Sequence, residues 1–451
     1  MDIYNMGCLV FSGKIGQKDT KMALELWRLS ANQGYSPAQF RLAQAYCGKL
    51  KDDLIPLDLE ESLEWLTKAA EAGLDKAQNF LAEAYFTGKI YGKRDQALAV
   101  NWIRKAADQG HPESLSRLGY CYSQGEGVKK DPAQALHYLR LAADQGVVQA
   151  QKNLAALYST GQGVENDWTQ CAKYTRLAAD QGHIAAQFNL AVLYNNGLGV
   201  EKDFTQCLKY LRLAADQAFP DAQYFLAGCY QFGIGVDKNM AMAITLYSLA
   251  ADQGLAQAQF KLGQIYFDGD EVEQDLSEGF KYLQLAADQG FAQAQFKLGQ
   301  IYFEGDEVEQ DLPKSCKYLH LAADQGFSDA QYALADLYFW GFGVEKDLAK
   351  SLNYYHLAVD QGNGRAELSL ADLYLRGIGV ERDVPQAIKL YKQAVDHGQP
   401  EGYLHLGFMY CFGQGVRKDL ELGFLYLEGA AKMGVSRAGE ILQELKDENL
   451  P

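Results

Sequence analysis

Paired cysteines, long apolar runs and an excess of positive charge are all missing from this chain. Its eight cysteines, Cys8, Cys47, Cys121, Cys171, Cys207, Cys229, Cys316 and Cys411, stand far apart with no Cys-x-x-Cys. A disulfide framework or a zinc ribbon is thereby excluded, and free thiols are expected. No stretch approaches the roughly 18 apolar residues that would cross a bilayer, and the start lacks the basic and apolar segments of a secretory signal. A soluble protein is expected, with no membrane insertion. Lys and Arg total 42 against 58 Asp and Glu, a net charge of -16. Nucleic acid is excluded as a first partner, because its phosphates would be repelled.

Chemistry-bearing constellations are scarce as well. The seven histidines fall at unrelated places without metal spacing, and no Gly-x-Ser-x-Gly or Ser-x-x-Lys occurs. No cofactor or metal is expected, and no enzyme.

What is abundant is repetition. A glycine closing Ala-Ala-Asp-Gln-Gly or a variant stands at Gly34, Gly73, Gly110, Gly146, Gly182, Gly254, Gly290, Gly326, Gly362, Gly398 and Gly434, with Ala218 in the one empty place. From Gly110 onward the step is 36. Counting each such residue as slot 0, a tyrosine occupies slot 12 from Tyr46 through Tyr158, Tyr266 and Tyr338 to Tyr410. Twelve repeats follow, the second and third lengthened around Lys49 to Leu59 and Thr87 to Lys93. Repeats 255–290 and 291–326 agree at 29 of 36 positions, so the array grew by copying.

Within a repeat, slots 4, 8, 9, 11 and 12 are apolar or small, as in Ala258, Leu262, Gly263, Ile265 and Tyr266. At helical pitch they share an arc of about 160°, so slots 2 to 14 predict an amphipathic helix A. Gly-x-Gly-Val with a following Asp, as in Gly161-Gln162-Gly163-Val164 and Asp167, predicts a glycine-ended helix, a turn and an N-cap. Helix B then spans slots 22 to 33. Each hairpin alone would leave an apolar face wet, so the hairpins must stack into a superhelix with inner and outer surfaces. The expectation is an all-α chain: one α/α solenoid over 1–434, with a capping helix and tail at 435–451.

The 36-residue period, Ala-x-x-x-Leu-Gly/Ala-x-x-Tyr in helix A, Gly-x-Gly-Val-x-x-Asp in the turn and Ala-Ala-Asp-Gln-Gly at the close together resemble the SEL-one-like repeat family, relatives of the tetratricopeptide repeats. Phe188 to Val200 carries almost the whole helix A and turn motif. The resemblance implies an α/α solenoid with helix A on the concave side, acting as a scaffold or adaptor for a protein or peptide. A cysteine-rich branch of the family, linked to β-lactam binding, staples each repeat with a disulfide, and this chain lacks those pairs. Delivery into a host cell as a bacterial effector and residence in the cytoplasm as an adaptor are both open. So is an alternative, a hydrolase-like or peptidoglycan-related regulator with a site between repeats.

One row of residues points to a partner. Slots 6 and 13 border the buried arc, and in mid-chain they hold Phe188, Tyr224, Phe260, Phe267, Phe296, Phe303, Tyr332 and Phe339, with Trp340 beside the last. An acidic stripe of Asp268, Glu304, Asp336 and Asp372 runs alongside. Aromatic anchors with an acidic margin predict a partner segment that is apolar and basic. Packing between repeats is the competing account of slot 6, and packing competes equally with binding at slot 13 for Phe267, Phe303 and Phe339. A second, basic row on helix B, Arg140, Arg176 and Arg212 with Lys173 and Lys209, reads as a solvated outer face or a second docking patch. The aspartates two places before the closing residue, among them Asp144, Asp180 and Asp252, sit at a helix C-terminus, where a negative charge is disfavoured. A hydrogen bond to a neighbouring repeat is expected to hold them.

Overall fold

A computed structural model describes residues 2–162, 165–269, 272–306 and 308–447. Gly163 and Val164 of the turn quoted above therefore lie outside the described residues. Helices α1–α25 follow one another from Ile3–Ser12 to Ser436–Asp447, with no strand among the described residues. Odd numbers up to α23 are helices A and even numbers helices B. Contacts gather the chain into two units, 1–222 and 223–451, each of them a stack of α/α hairpins. Within each unit a helix packs chiefly on the helices before and after it in the chain.

The local grammar explains where the helices begin and stop. Helix α15, Ala256–Asp268, fills slots 2 to 14, and α16, Leu276–Asp288, runs from slot 22 to slot 34. The Asp275 side chain accepts from the Glu278 amide at 3.0 Å and so caps α16. Asp95, Asp131, Asp203, Asp347 and Asp419 do the same for their helices, each cap contributing about 1 kcal/mol. The long second and third repeats carry their extra residues between α3 (Ser36–Tyr46) and α4 (Leu59–Glu71), and between α5 (Asp75–Thr87) and α6 (Gln96–Asp108). Loop insertions at those turns leave the helices untouched.

Small-on-large packing locks A to B. A side chain begun at Gly263 would put its Cβ 2.7 Å from Leu283 Cγ, so the slot-9 glycine lets the slot-29 leucine lie against the helix A backbone. Leu262, Leu283 and Leu298 are completely buried. At the far end α25 sets Ala438, Ile441, Leu442 and Leu445 into a cluster with Cys411 and Leu427, closing the apolar face of the last hairpin.

Polar groups are buried in a regular way too. The slot-5 glutamine lies inside the apolar arc, and its amide donates to the slot-33 carbonyl of the preceding repeat: Gln151 to Ala143 at 3.3 Å, Gln259 to Ala251 at 3.1 Å, Gln295 to Ala287 at 3.1 Å. Its oxygen accepts from the slot-35 glutamine of its own repeat. Such rungs join Gln109 to Gln78, Gln181 to Gln151 and Gln217 to Gln187 in the first unit. In the second unit they join Gln253 to Gln223, Gln289 to Gln259, Gln325 to Gln295 and Gln361 to Gln331. A buried amide left without partners costs about 1–3 kcal/mol, so each rung ties helix B to helix A through a group that must be satisfied. Where Ala72 replaces the slot-35 glutamine, Gln39 Oε1 is left buried without a partner. One rung differs in kind. Glu367, fully buried, faces His397, whose Nδ1 lies 3.0 Å from both carboxylate oxygens.

Ala218, the one non-glycine at slot 0, adopts φ +60° and is exposed. An L residue pays roughly 1–2 kcal/mol for that left-handed conformation. Ala218→Gly should therefore stabilise the chain by about 1 kcal/mol, read as a higher midpoint in urea. An unchanged or lower midpoint would show that the turn carries no strain.

Candidate functional site

The aromatic row is partitioned by packing. At slot 6, Phe188 meets Phe219 with ring centroids 5.4 Å apart, Phe260 meets Phe291 at 5.4 Å, and Phe296 meets Phe327 at 5.3 Å. Each of these partners opens the following repeat. Where slot 29 is a tyrosine instead of leucine, the slot-6 ring turns to it, as Tyr224 does to Tyr247 and Tyr332 to Tyr355. All five slot-6 rings are half-buried, three of them against the following repeat and two against their own helix B.

At slot 13 packing accounts for Phe267. Phe267 is only 5% exposed and belongs to the cluster of Leu283, Leu298 and Ile301, whereas its neighbour Tyr266, which the sequence places inside the apolar arc, is half-buried. The physical reason is that helix A is covered on two sides, by its own helix B and by the next repeat. Slot 13 sits about 40° beyond slot 9 on the wheel, inside that second contact. Phe303 and Phe339 are half-buried, each with an aromatic laid over it. Phe303 touches Phe342 with centroids 6.2 Å apart, and Phe339 meets Trp340 edge-on at 4.8 Å. Trp340, the last residue of α19 (Ser328–Trp340), is 61% exposed, and Phe342 in the turn beyond it is 49% exposed.

Residues that the sequence pattern passed over share this exposed side. Phe225 and Phe232 on α13 (Pro220–Phe232) and Phe408 and Phe412 on α23 (Glu401–Phe412) are all exposed. They occupy slots 7, 10 and 14, opposite the buried arc, and that opposition was the signal available. The acidic margin is narrower than the sequence suggested. Asp268 and Glu304 are exposed, but Asp336 accepts the Tyr355 hydroxyl at 2.5 Å and Asp372 accepts that of Tyr391. Burial pushes the Asp336 carboxyl above its usual range, against the pull of hydrogen bonds from Tyr355 and Tyr332.

Two arginines of the basic row on helix B, Arg140 and Arg176, are exposed and yet bonded within the protein. Arg104 donates to the Tyr122 hydroxyl at 3.0 Å, and Arg140 and Arg176 donate likewise to Tyr158 and Tyr194 of the next repeat. Lys173 and Lys209 lie over the rings of Tyr174 and Tyr210, each 5.1 Å from the centroid. Slot-12 and slot-28 tyrosines stack flat within a repeat, Tyr158 on Tyr174 at 6.1 Å and Tyr302 on Tyr318 at 5.9 Å. The expected bond from the slot-34 aspartate is present at Asp180, which accepts from Tyr210 at 3.0 Å. Burial, with Asp180 next, pushes that phenol up to about 12.

Grooves border helices A among the described residues in both units. One, of about 550 Å³, lies in the first unit among α9 (Val148–Thr160), α10 (Trp168–Asp180) and α11 (Ile184–Asn196). It opens where Ala155, Ala156 and Ser159 are too small to fill the space beside Trp168 and His183. Burial and Lys152 hold the His183 imidazole below its ordinary range. The other, of about 530 Å³, lies in the second unit between α21 (Gly364–Arg376), α23 and α25. All eight cysteines are free thiols, and no cluster of metal-binding side chains occurs among the described residues.

The Sel1 repeat profile matches twelve consecutive segments, 3–35, 36–74, 75–111, 112–147, 148–183, 184–219, 220–255, 256–291, 292–327, 328–363, 364–399 and 400–435. The chain belongs to the Sel1 repeat family. Among solved structures it is similar to a protective antigen of uropathogenic Escherichia coli displaying an SLR fold, at 29% identity and TM-score 0.75, covering 95% of this chain and 91% of that one. It is also similar to a Sel1 repeat protein from Oxalobacter formigenes, at 32% identity and TM-score 0.57, covering 75% and 94%. Among curated proteins, the chitin synthase regulator SKT5 of Saccharomyces cerevisiae is 32% identical over 113 residues, and an uncharacterized protein of Neisseria meningitidis serogroup B is 30% identical over 125. Those matches take in 25% and 28% of this chain and only 16% and 25% of the relatives' lengths. Sel1 repeat proteins generally mediate protein–protein interaction, and the family is typically non-catalytic. No helix among the described residues is long and apolar enough to cross a membrane.

Proposed function

We propose that this Sel1 repeat chain is a scaffold that grips a segment of a partner protein on the free side of its helices A. The anchor is the pair Trp340 and Phe342, seated on Phe339 and Phe303. The observation that carries this reading is an exposed tryptophan, 61% accessible, held by an edge-on ring 4.8 Å away. A large ring fixed before binding loses little freedom on contact, and tryptophan is prominent among residues that dominate binding energy. In the same unit Phe260, Phe267 and Phe296 serve this surface from below by packing against the following repeat, and Tyr224 and Tyr332 by packing on their own helices B. Exposed Glu304 and Asp268 on the same free side favour a partner segment that is apolar and basic. The compartment of action in this reading is the cytoplasm or, for a bacterial effector, the cell of a host.

The test replaces Trp340 and Phe342 together by Ala in the full chain. Partners captured by the intact chain and identified by mass spectrometry are then titrated against both forms by calorimetry. The double substitution should weaken binding by at least about 2 kcal/mol while leaving the melting curve in place. A captured partner that binds both forms equally places the site elsewhere.

A further inference from the structure

Against a net charge of -16, the groove between α21, α23 and α25 is locally of opposite sign. Its rim gathers Arg376, Arg382 and Arg437, with His405 beside them and Asp372 as the one carboxylate of the lining. Asp372 is engaged: it accepts the Tyr391 hydroxyl and lies 3.9 Å from His405 Nδ1. His405 in turn stacks on Tyr391 at 4.9 Å, with the two rings 5° from parallel. Arg376, in the last turn of α21, is exposed and has no carboxylate partner among the described residues. Arg382 commits only its Nε, which donates to the Leu375 carbonyl at 3.0 Å, so its two terminal nitrogens keep their donors. Arg437 holds Glu440 at 2.7 Å, but both side chains are more than half exposed. A surface pair of that kind is worth little and exchanges readily for a better partner.

Between these cations the floor is apolar, from Leu404, Phe408 and Ile441. The space of about 530 Å³ is right for a few side chains of an extended segment. Three guanidinium groups converging on an apolar trough match carboxylates interspersed with apolar residues, because the planar fork of arginine takes a carboxylate with two hydrogen bonds. The net charge of -16 disfavours such a segment on the chain as a whole, so a local cluster of cations also selects where it lands.

We propose that this groove is a second docking site, which takes an acidic peptide segment carrying apolar side chains. Its occupant is opposite in charge to the segment assigned to the Trp340 surface, and the two sites are independent.

The experiment pans a random dodecapeptide library on the immobilised full chain and measures the selected peptides, fluorescently labelled, by anisotropy. Measurements use the unaltered chain, the Arg376→Ala/Arg437→Ala variant and the Trp340→Ala/Phe342→Ala variant. The proposal expects a selected set rich in Glu and Asp around an apolar residue. Binding of that set should fall about tenfold or more in the arginine variant and with added salt, and stay unchanged in the aromatic variant. Both arginines are exposed, and coincident melting curves check that the variant is folded. An absence of selected peptides, a set without acidic character, or equal binding to the arginine variant would overturn the proposal. Loss in the aromatic variant alone would assign the peptides to the other surface and overturn it as well. Failure of the Trp340 surface to bind its own partner leaves these outcomes as they stand.

Discussion

Gly199→Ala is expected to destabilise the chain by about 3 kcal/mol or more. Two causes add. The residue has φ +69°, and a Cβ there would overlap the carbonyl group of Trp168 at the start of α10. Trp168 is the first residue of its helix, so its backbone cannot retreat without loosening the Asp167 cap. Gly197→Ala, two residues earlier, is the control. It has the same sign of φ, at +68°, but its Cβ would meet nothing closer than the Lys202 side chain at 3.4 Å. It should cost only about 1–2 kcal/mol. Urea unfolding of the two variants side by side decides the matter. Equal losses would mean that conformation alone, and not the approach of one repeat to the next, explains the second glycine of the turn.

Phe267→Ala should cost about 3–5 kcal/mol, the usual figure for emptying a core aromatic site. Its cluster partners Leu283, Leu298 and Ile301 are nearly or wholly inaccessible, so little can move in to fill the space. Tyr266→Ala, one residue away, should cost less, because that ring is half-buried and stacks on Tyr282 at 6.2 Å. Thermal and urea midpoints of the two variants give the comparison. A larger loss at Tyr266 would restore the tyrosine to the centre of the core.

That inversion marks the border of what the pattern of residues could reveal. Helix ends, turns, caps and repeat length were legible because each depends on neighbours in the chain: Asp275 on the Glu278 amide, the turn glycines on their own φ. Burial at slot 13 depends on the following repeat, and a wheel drawn for one hairpin has no place for it. Phe267 therefore looked like a border residue, and Trp340, one slot further round, looked like its companion instead of the exposed ring. The bonds of the helix B arginines Arg140 and Arg176 were hidden for the same reason: their partners, Tyr158 and Tyr194, are 18 residues away in the next repeat. The role of the slot-5 glutamines could not be read from one hairpin, since their bonds run to slot 35 of their own repeat and slot 33 of the one before.

Those glutamine rungs bear on how such an array can be recombined. A primary amide is at once donor and acceptor, so any slot-5 glutamine fits any slot-35 glutamine, and a crossover at any point between two such repeats yields intact rungs. Repeats 255–290 and 291–326, alike at 29 of 36 positions, are a duplication of that interchangeable kind. The Glu367–His397 rung is not interchangeable. A crossover falling between these two residues would hand a buried carboxylate to a neutral amide, or an imidazole to a glutamine, whereas a copy taken whole keeps both. The repeat from Asn363 to Gly398, which supplies Arg376 and Arg382 to the arginine-rimmed groove, can thus be inherited only as a block.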